Sequence, residues 1–208
     1  MIIQTLEQLR NEFLQEAQSA PKLFKDLAKV EQYIAESYKT RALIELIQNA
    51  DDAQSTSFGL HEIESGFIVG NNGRIFTPED VESLCRSGSS NKQRGGNTIG
   101  YRGIGFKSVV NIANTISVFS GEFSFCFDRS KTKQTLHSDV DVPLIRVPHP
   151  IDKNQEAAIK LAIELKKRNG YNTIFVFQDV VGKLSLEELS GLDRSSLLFL
   201  NNLKNFEY

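Results

Sequence analysis

The chain has no tryptophan, one methionine, two cysteines and five prolines in 208 residues. Cys85 and Cys126 stand far apart, with no histidine or further cysteine at ligand spacing. That excludes a disulfide scaffold and a cysteine-ligated zinc site, and two small buried apolar side chains in a reducing compartment are expected instead. No run approaches the ~18 apolar residues of a bilayer span, and the stretch Met1–Arg10 turns acidic too early for a signal peptide. A cytoplasmic chain without membrane association is the expectation.

Neither sign of charge dominates: 24 Lys and Arg oppose 26 Asp and Glu, a net charge of −2. No bulk attraction to nucleic acid or anionic lipid follows, and direct nucleic-acid binding is not indicated. With 40% hydrophobic and 24% charged residues, the composition is that of a globular chain. A chain of this length buries roughly 70% of the surface its unfolded form exposes, enough for a core without staples. One absence is local. From Ser83 to Gly121 there is no Asp or Glu, while Arg86, Lys92, Arg94, Arg102 and Lys107 fall inside the stretch. A basic segment in a weakly acidic chain points to a small anionic ligand.

The periodicity predicts two polar helices before residue 40: Leu6, Leu9, Phe13 and Leu14, then Leu23, Leu27, Val30 and Ile34, broken at Pro21. A third helix covers Thr40 to Ala53. Phe58–Ile63 and Gly66–Val69 read as paired strands. Thr77-Pro78-Glu79-Asp80 opens a helix to about Cys85, with Thr77 as N-cap and Asp80 closing a capping box. After a glycine-rich stretch, a helix is predicted from Lys107 to Ala113, then strands Ile116–Ser120 and Phe123–Asp128. Residues 129–150 read as mostly irregular, Asn154–Arg168 as helix, Thr173–Gln178 as strand, and Ser185–Glu188 as the start of a short helix. The layout is one mixed α/β domain: an N-terminal helical extension (1–38), a main domain (39–196) and the start of a connection (197–208).

On a helical wheel with Glu45 at zero, Asn49 falls at about 40° and Asp52 at about −20°, while Leu43, Leu46, Ile47 and Ala50 lie between about 100° and 200°. One face is apolar; the other carries a column of carboxylate, amide and carboxylate. Asp51 and Asp52 point about 100° apart and cannot flank one bond as a glycosidase dyad would. Further on, Phe67-Ile-Val-Gly-Asn-Asn-Gly-Arg74 ends a strand in a glycine turn with two amides, and Gly100-Tyr-Arg-Gly-Ile-Gly-Phe-Lys107 feeds a helix start. Glycines there allow close backbone approach to an anion. The loop is neither a Walker A motif, since Phe106 intervenes before Lys107-Ser108, nor the G-x-G-x-x-G of a Rossmann turn. His61, His137 and His149 have no partner at metal-ligand spacing, and the phenylalanines alternating through 119–127 read as core.

In this order the motifs resemble the GHKL ATPase superfamily, which groups gyrase B, heat-shock-90-type chaperones, histidine kinases and MutL. Glu45–Ala53 is similar to its N-box, Asn71-Asn-Gly73 to its adenine-binding box, Gly100–Phe106 to its lid box, and Asn172-Thr173-Ile-Phe-Val to its closing strand. Leu46–Ala53, Asn71–Phe76 and Gly103–Ser108 are most similar to the sacsin-type and NO VEIN-type ATPase domains, and Leu197–Leu203 resembles the stretch that follows them.

The resemblance implies a Bergerat-type fold: an α+β two-layer sandwich with a mixed, mostly antiparallel sheet under helices. It implies ATP and Mg²⁺ as cofactors and slow hydrolysis as a conformational switch. Further domains or protein partners, and an ATP-dependent dimer, are implied too. Glu45 would polarise the attacking water and Asn49 would offer its oxygen to Mg²⁺, with Asp52 ordering nearby water. Ser89, Lys92, Gly100, Gly103, Ile104, Gly105, Phe106 and Lys107 would surround the phosphates. Asn71, Gly73 and Thr173 would form the base pocket. The superfamily's base contact is usually an Asp. Asn71 in its place either reads adenine through its oxygen or accepts guanine through its nitrogen. A nucleotide-binding module without hydrolysis is the alternative function. Transfer to a histidine is disfavoured, because His61-Glu62 sits in a predicted strand rather than on an acceptor helix.

Overall fold

The computed structural model describes residues 2–37, 42–64, 66–86, 105–151, 157–180 and 199–207. Helices α1 (Ile2–Ser19) and α2 (Pro21–Ser37) meet at Ala20, with Pro21 at the first position of the second helix, where its missing N–H costs nothing. α1 buries Leu9, Phe13 and Ala17. α2 is helical as its pattern predicts, but its inner face is Phe24, Ala28, Glu31 and Ala35, and Leu23 and Val30 point outward. The polar anchor accounts for this rotation. The buried Glu31 carboxylate accepts the backbone N–H groups of Leu144 (2.6 Å) and Ile145 (2.8 Å).

α3 (Ala42–Asp52) buries the expected Leu43, Leu46, Ile47 and Ala50. Strands β1 (Ser57–Ile63) and β2 (Gly66–Asn71) form the expected hairpin. α4 (Pro78–Cys85) starts on the expected capping box, with Thr77 and Asp80 exchanging side chain-to-backbone bonds. The segment expected to be an α-helix after the glycine stretch is instead a short 3-10 helix, Gly105–Asn111, and Ala113 already belongs to a strand. β3 (Ala113–Ser120) and β4 (Phe123–Asp128) pair antiparallel.

An unexpected helix, α5 (Arg129–Leu136), follows, capped by the Asp128 carboxylate on the Lys131 N–H and closed by His137 in the left-handed region. α6 (Ala157–Arg168), β5 (Thr173–Val180) and a last short strand, β6 (Asn205–Glu207), complete the described chain. The expected helix at Ser185–Glu188 lies outside the described residues.

The sheet has the order β4-β3-β5-β2-β1-β6. All neighbours are antiparallel except β6, which runs parallel to β1. The result is the expected α+β sandwich. Its main core, on one face, unites Leu9, Phe13, Phe24, Leu46, Phe67, Val69, Val118, Phe125, Phe175 and Phe177. A smaller cluster on the other face packs Ile68, Phe119, Ile174 and Val176 against Ile159, Ala162 and Leu165 of α6, so both faces of the central strands are covered. Among the described residues no helix is long and apolar enough to cross a membrane. Cys85 and Cys126 are both free and buried, and burial pushes the Cys85 thiol up to about 12.

Candidate functional site

α3 holds Glu45, Asn49 and Asp52 half-buried along the side opposite its core-facing leucines. Its C-terminal end is stitched to the turn after β2. Arg74 donates its N–H to the Ala53 carbonyl at 2.7 Å. Gly73 packs so closely on Ala53 that a Cβ there would come within 2.7 Å of the same carbonyl oxygen. Glycine is required at this turn by proximity rather than by a left-handed backbone.

The two amides of the turn have different work. The Asn72 oxygen accepts from Thr56 N, Ser57 N and Ser55 Oγ, securing the start of β1. Asn172 Nδ2 closes the turn from β5 by donating to the carbonyls of Asn72 and Gly73. Asn71, only 6% exposed, accepts the Gly73 N–H at 3.1 Å. Asn71 pairs with Thr173, and Thr173 with Ser120, so the three side chains form one row across β2, β5 and β3. The Ser120 and Thr173 hydroxyls lie 2.6 Å apart, and Ser120 Oγ also accepts the Phe76 N–H. Ser120 escaped sequence reasoning because only the three-strand register reveals it as Thr173's partner.

Two other expected site residues have their side chains buried in the protein interior. Phe106 is buried with its ring 5.1 Å from that of Phe175; its side chain belongs to the core, leaving only its backbone for a ligand. Lys107 was expected to neutralise phosphate. It is instead 3% exposed, and its ammonium donates to the Ile145 carbonyl at 3.3 Å. The short 3-10 helix turns the side chain inward, where burial lowers its pKa and the Glu31 carboxylate works in the opposite sense. Arg86 is likewise engaged, with Glu12, Glu16 and Glu82. Two of the five cations in the acid-free stretch are therefore structural. Ser89, Lys92, Gly100, Gly103 and Ile104 lie outside the described residues, as do Arg94 and Arg102; of Gly105, only its place at the start of the 3-10 helix is described.

Asp51 is a structural residue the sequence did not single out. Its buried carboxylate accepts the backbone N–H groups of Asn201 (2.9 Å), Asn202 (2.7 Å) and Leu203 (2.9 Å). Burial pushes the carboxyl up, but those bonds together outweigh it and hold its pKa below the ordinary value. The C-terminal tail is thereby fastened to the helix that carries Glu45 and Asn49.

The Sacsin domain model matches residues 58–177, more than half of the chain, from the second residue of β1 through most of β5. The chain belongs to the sacsin-domain family. It is also 32% identical over 186 residues to Protein NO VEIN of Arabidopsis thaliana, an alignment covering 83% of this chain and 7% of that protein. This sacsin domain thus spans a small fraction of its relative's length. The matched region contains the Asn71 turn, the 3-10 helix and Thr173, whereas α3 precedes the family match.

Proposed function

We propose that this sacsin domain binds Mg·ATP and hydrolyses it slowly, in the manner of the GHKL ATPases, as a conformational switch in a larger protein or complex. The observation that carries the reading is the junction of α3 with the β2 turn. A helix presenting a carboxylate and an amide one turn apart ends against the Gly73–Arg74 turn, which follows Asn71, the first residue of the buried row Asn71, Thr173 and Ser120. A purine over that row would lead its phosphates toward the polar side of α3.

In this reading Glu45 accepts the proton of the attacking water. Asn49 supplies one neutral oxygen to Mg²⁺, which suits an ion that keeps several waters and takes its remaining oxygens from phosphate. Among the described residues no three His, Cys, Asp or Glu side chains are grouped as a metal cage, and a substrate-borne Mg²⁺ needs none. The bound ion would neutralise charge on the phosphates. Asp52 shares the half-buried side of α3 and orders water beside Glu45. With Lys107 turned inward, the remaining protein donors to the phosphates are backbone N–H groups of the Gly100–Phe106 loop, Ser89 and Lys92.

The test is phosphate release by the purified 208-residue chain beside its Glu45→Ala variant, with nucleotide affinity measured for both. Turnover lost with binding retained supports the assignment. Asn71 favours a second reading, a module that binds nucleotide without hydrolysing it, which binding without phosphate release by the wild-type chain would support. Further domains, protein partners and nucleotide-dependent dimerisation belong to the same proposal, since the relative is far longer than the aligned segment.

A further inference from the structure

Asn71 spends its one side-chain oxygen inside the protein. Oδ1 accepts the Gly73 N–H at 3.1 Å. A backbone N–H can only donate, so this bond identifies which end of the amide is oxygen. Among the described residues no group accepts from Asn71 Nδ2, although the residue is more than nine-tenths buried. With the oxygen occupied by the turn, this nitrogen is the end of the amide left for a ligand. Its neighbours in the row are already engaged: the Ser120 and Thr173 hydroxyls bond to each other, and Ser120 also holds the Phe76 N–H.

A carboxylate at this position has two equivalent oxygens. One can take the turn N–H while the other accepts the exocyclic amine of adenine. An amide has a single oxygen, and once the turn uses it the group left to face a base is an N–H donor. Adenine presents a donor at its six position, whereas guanine and hypoxanthine present a carbonyl acceptor there. We propose that this pocket reads the six position of a purine with a hydrogen-bond donor, Asn71 Nδ2, and so binds 6-oxopurine nucleoside triphosphates at least as tightly as ATP. The proposal rests on the nucleotide-binding reading above and concerns only the base end of that site.

Isothermal titration of the 208-residue chain with Mg·ATP and with Mg·ITP, which presents a carbonyl where ATP has its amine, tests it. The expected result is a Kd for ITP equal to or lower than that for ATP. Asn71→Asp, similar in shape and with a second acceptor, should shift the affinity ratio toward ATP by about tenfold or more, the usual scale for matching or mismatching one buried polar contact. Tighter binding of ATP than ITP by the wild-type chain overturns the base assignment and leaves nucleotide binding standing. Failure of both nucleotides to bind overturns the nucleotide reading and this proposal together. The wild-type ranking decides the question even where Asn71→Asp does not fold.

Discussion

Asp51 and Asn202, 151 residues apart in sequence, are joined twice: the carboxylate accepts the Asn202 N–H at 2.7 Å, and the Asn202 amide donates back to the Asp51 carbonyl at 3.0 Å. With the Asn201 and Leu203 N–H groups on the same carboxylate, one side chain fastens the tail to α3. Asp51→Asn keeps the shape and removes the charge, and should cost about 1–3 kcal/mol in urea unfolding at pH 7. Because the folded-state pKa is depressed below 3.8, this stabilisation is present above that value and is lost as pH falls through the folded pKa. Equal stabilities of wild type and variant at neutral pH would show that the clasp contributes nothing.

His149 should make the fold acid-sensitive in a higher window. Burial first, and Arg10 second, lower its pKa from 6.5 to about 4. Thr132 Oγ1 donates to the Asp128 carbonyl and lies 2.8 Å from His149 Nε2, so the neutral ring must donate to the hydroxyl through Nε2–H. Stability tied to that neutral form is complete above pH 6.5 and declines as pH falls toward 4. Denaturation at pH 7.5 and 4.5 should differ by about 2–3 kcal/mol from this group alone. His149→Gln should lack that difference.

Gly73→Ala should strike backbone rather than a yielding side chain. The added carbon would meet the Ala53 carbonyl oxygen at 2.7 Å and the Ala53 Cβ at 2.9 Å. The turn must then move off the end of α3, at a cost of roughly 1–3 kcal/mol. Chemical denaturation checks it, and a change within about 0.5 kcal/mol, typical of surface substitutions, would contradict the close packing described.

Lys107→Met separates a structural lysine from a phosphate ligand. The ammonium is buried and donates to the Ile145 carbonyl from the 3-10 helix. Nucleotide affinity should therefore change less than about threefold, whereas loss of a direct charge-assisted phosphate contact would cost about tenfold or more. Titration calorimetry distinguishes the two.

Elements whose signals are local were legible in the sequence. The apolar side of α3, the β1–β2 hairpin and the Thr77–Asp80 capping box each depend on neighbours within a few positions, and each occurs where expected. α5 was not legible because Arg129–Leu136 has one large apolar residue and therefore no periodicity; its Asp128 cap is the signal that could have revealed it. β6 and the Asp51 clasp depend on partners about 150 residues away, which no local pattern encodes. Lys107 was misplaced for a related reason. Its sequence neighbours suggest an anion loop, but its burial is decided by Ile145 and Glu31 on other segments. Asn71 was expected at the base contact with its oxygen and nitrogen as alternatives, and the Gly73 bond that occupies the oxygen is a feature of the folded turn.

The central claim is that Glu45 and Asn49, one turn apart on α3, serve a triphosphate. Phosphate release from Mg·ATP by the wild-type chain and by Glu45→Ala, with nucleotide affinity measured alongside, tests it most directly. The account predicts that Glu45→Ala lowers turnover by about 10²-fold or more, the lower range for a general base, while the nucleotide Kd changes less than about threefold. Release by Glu45→Ala at the wild-type rate would contradict it.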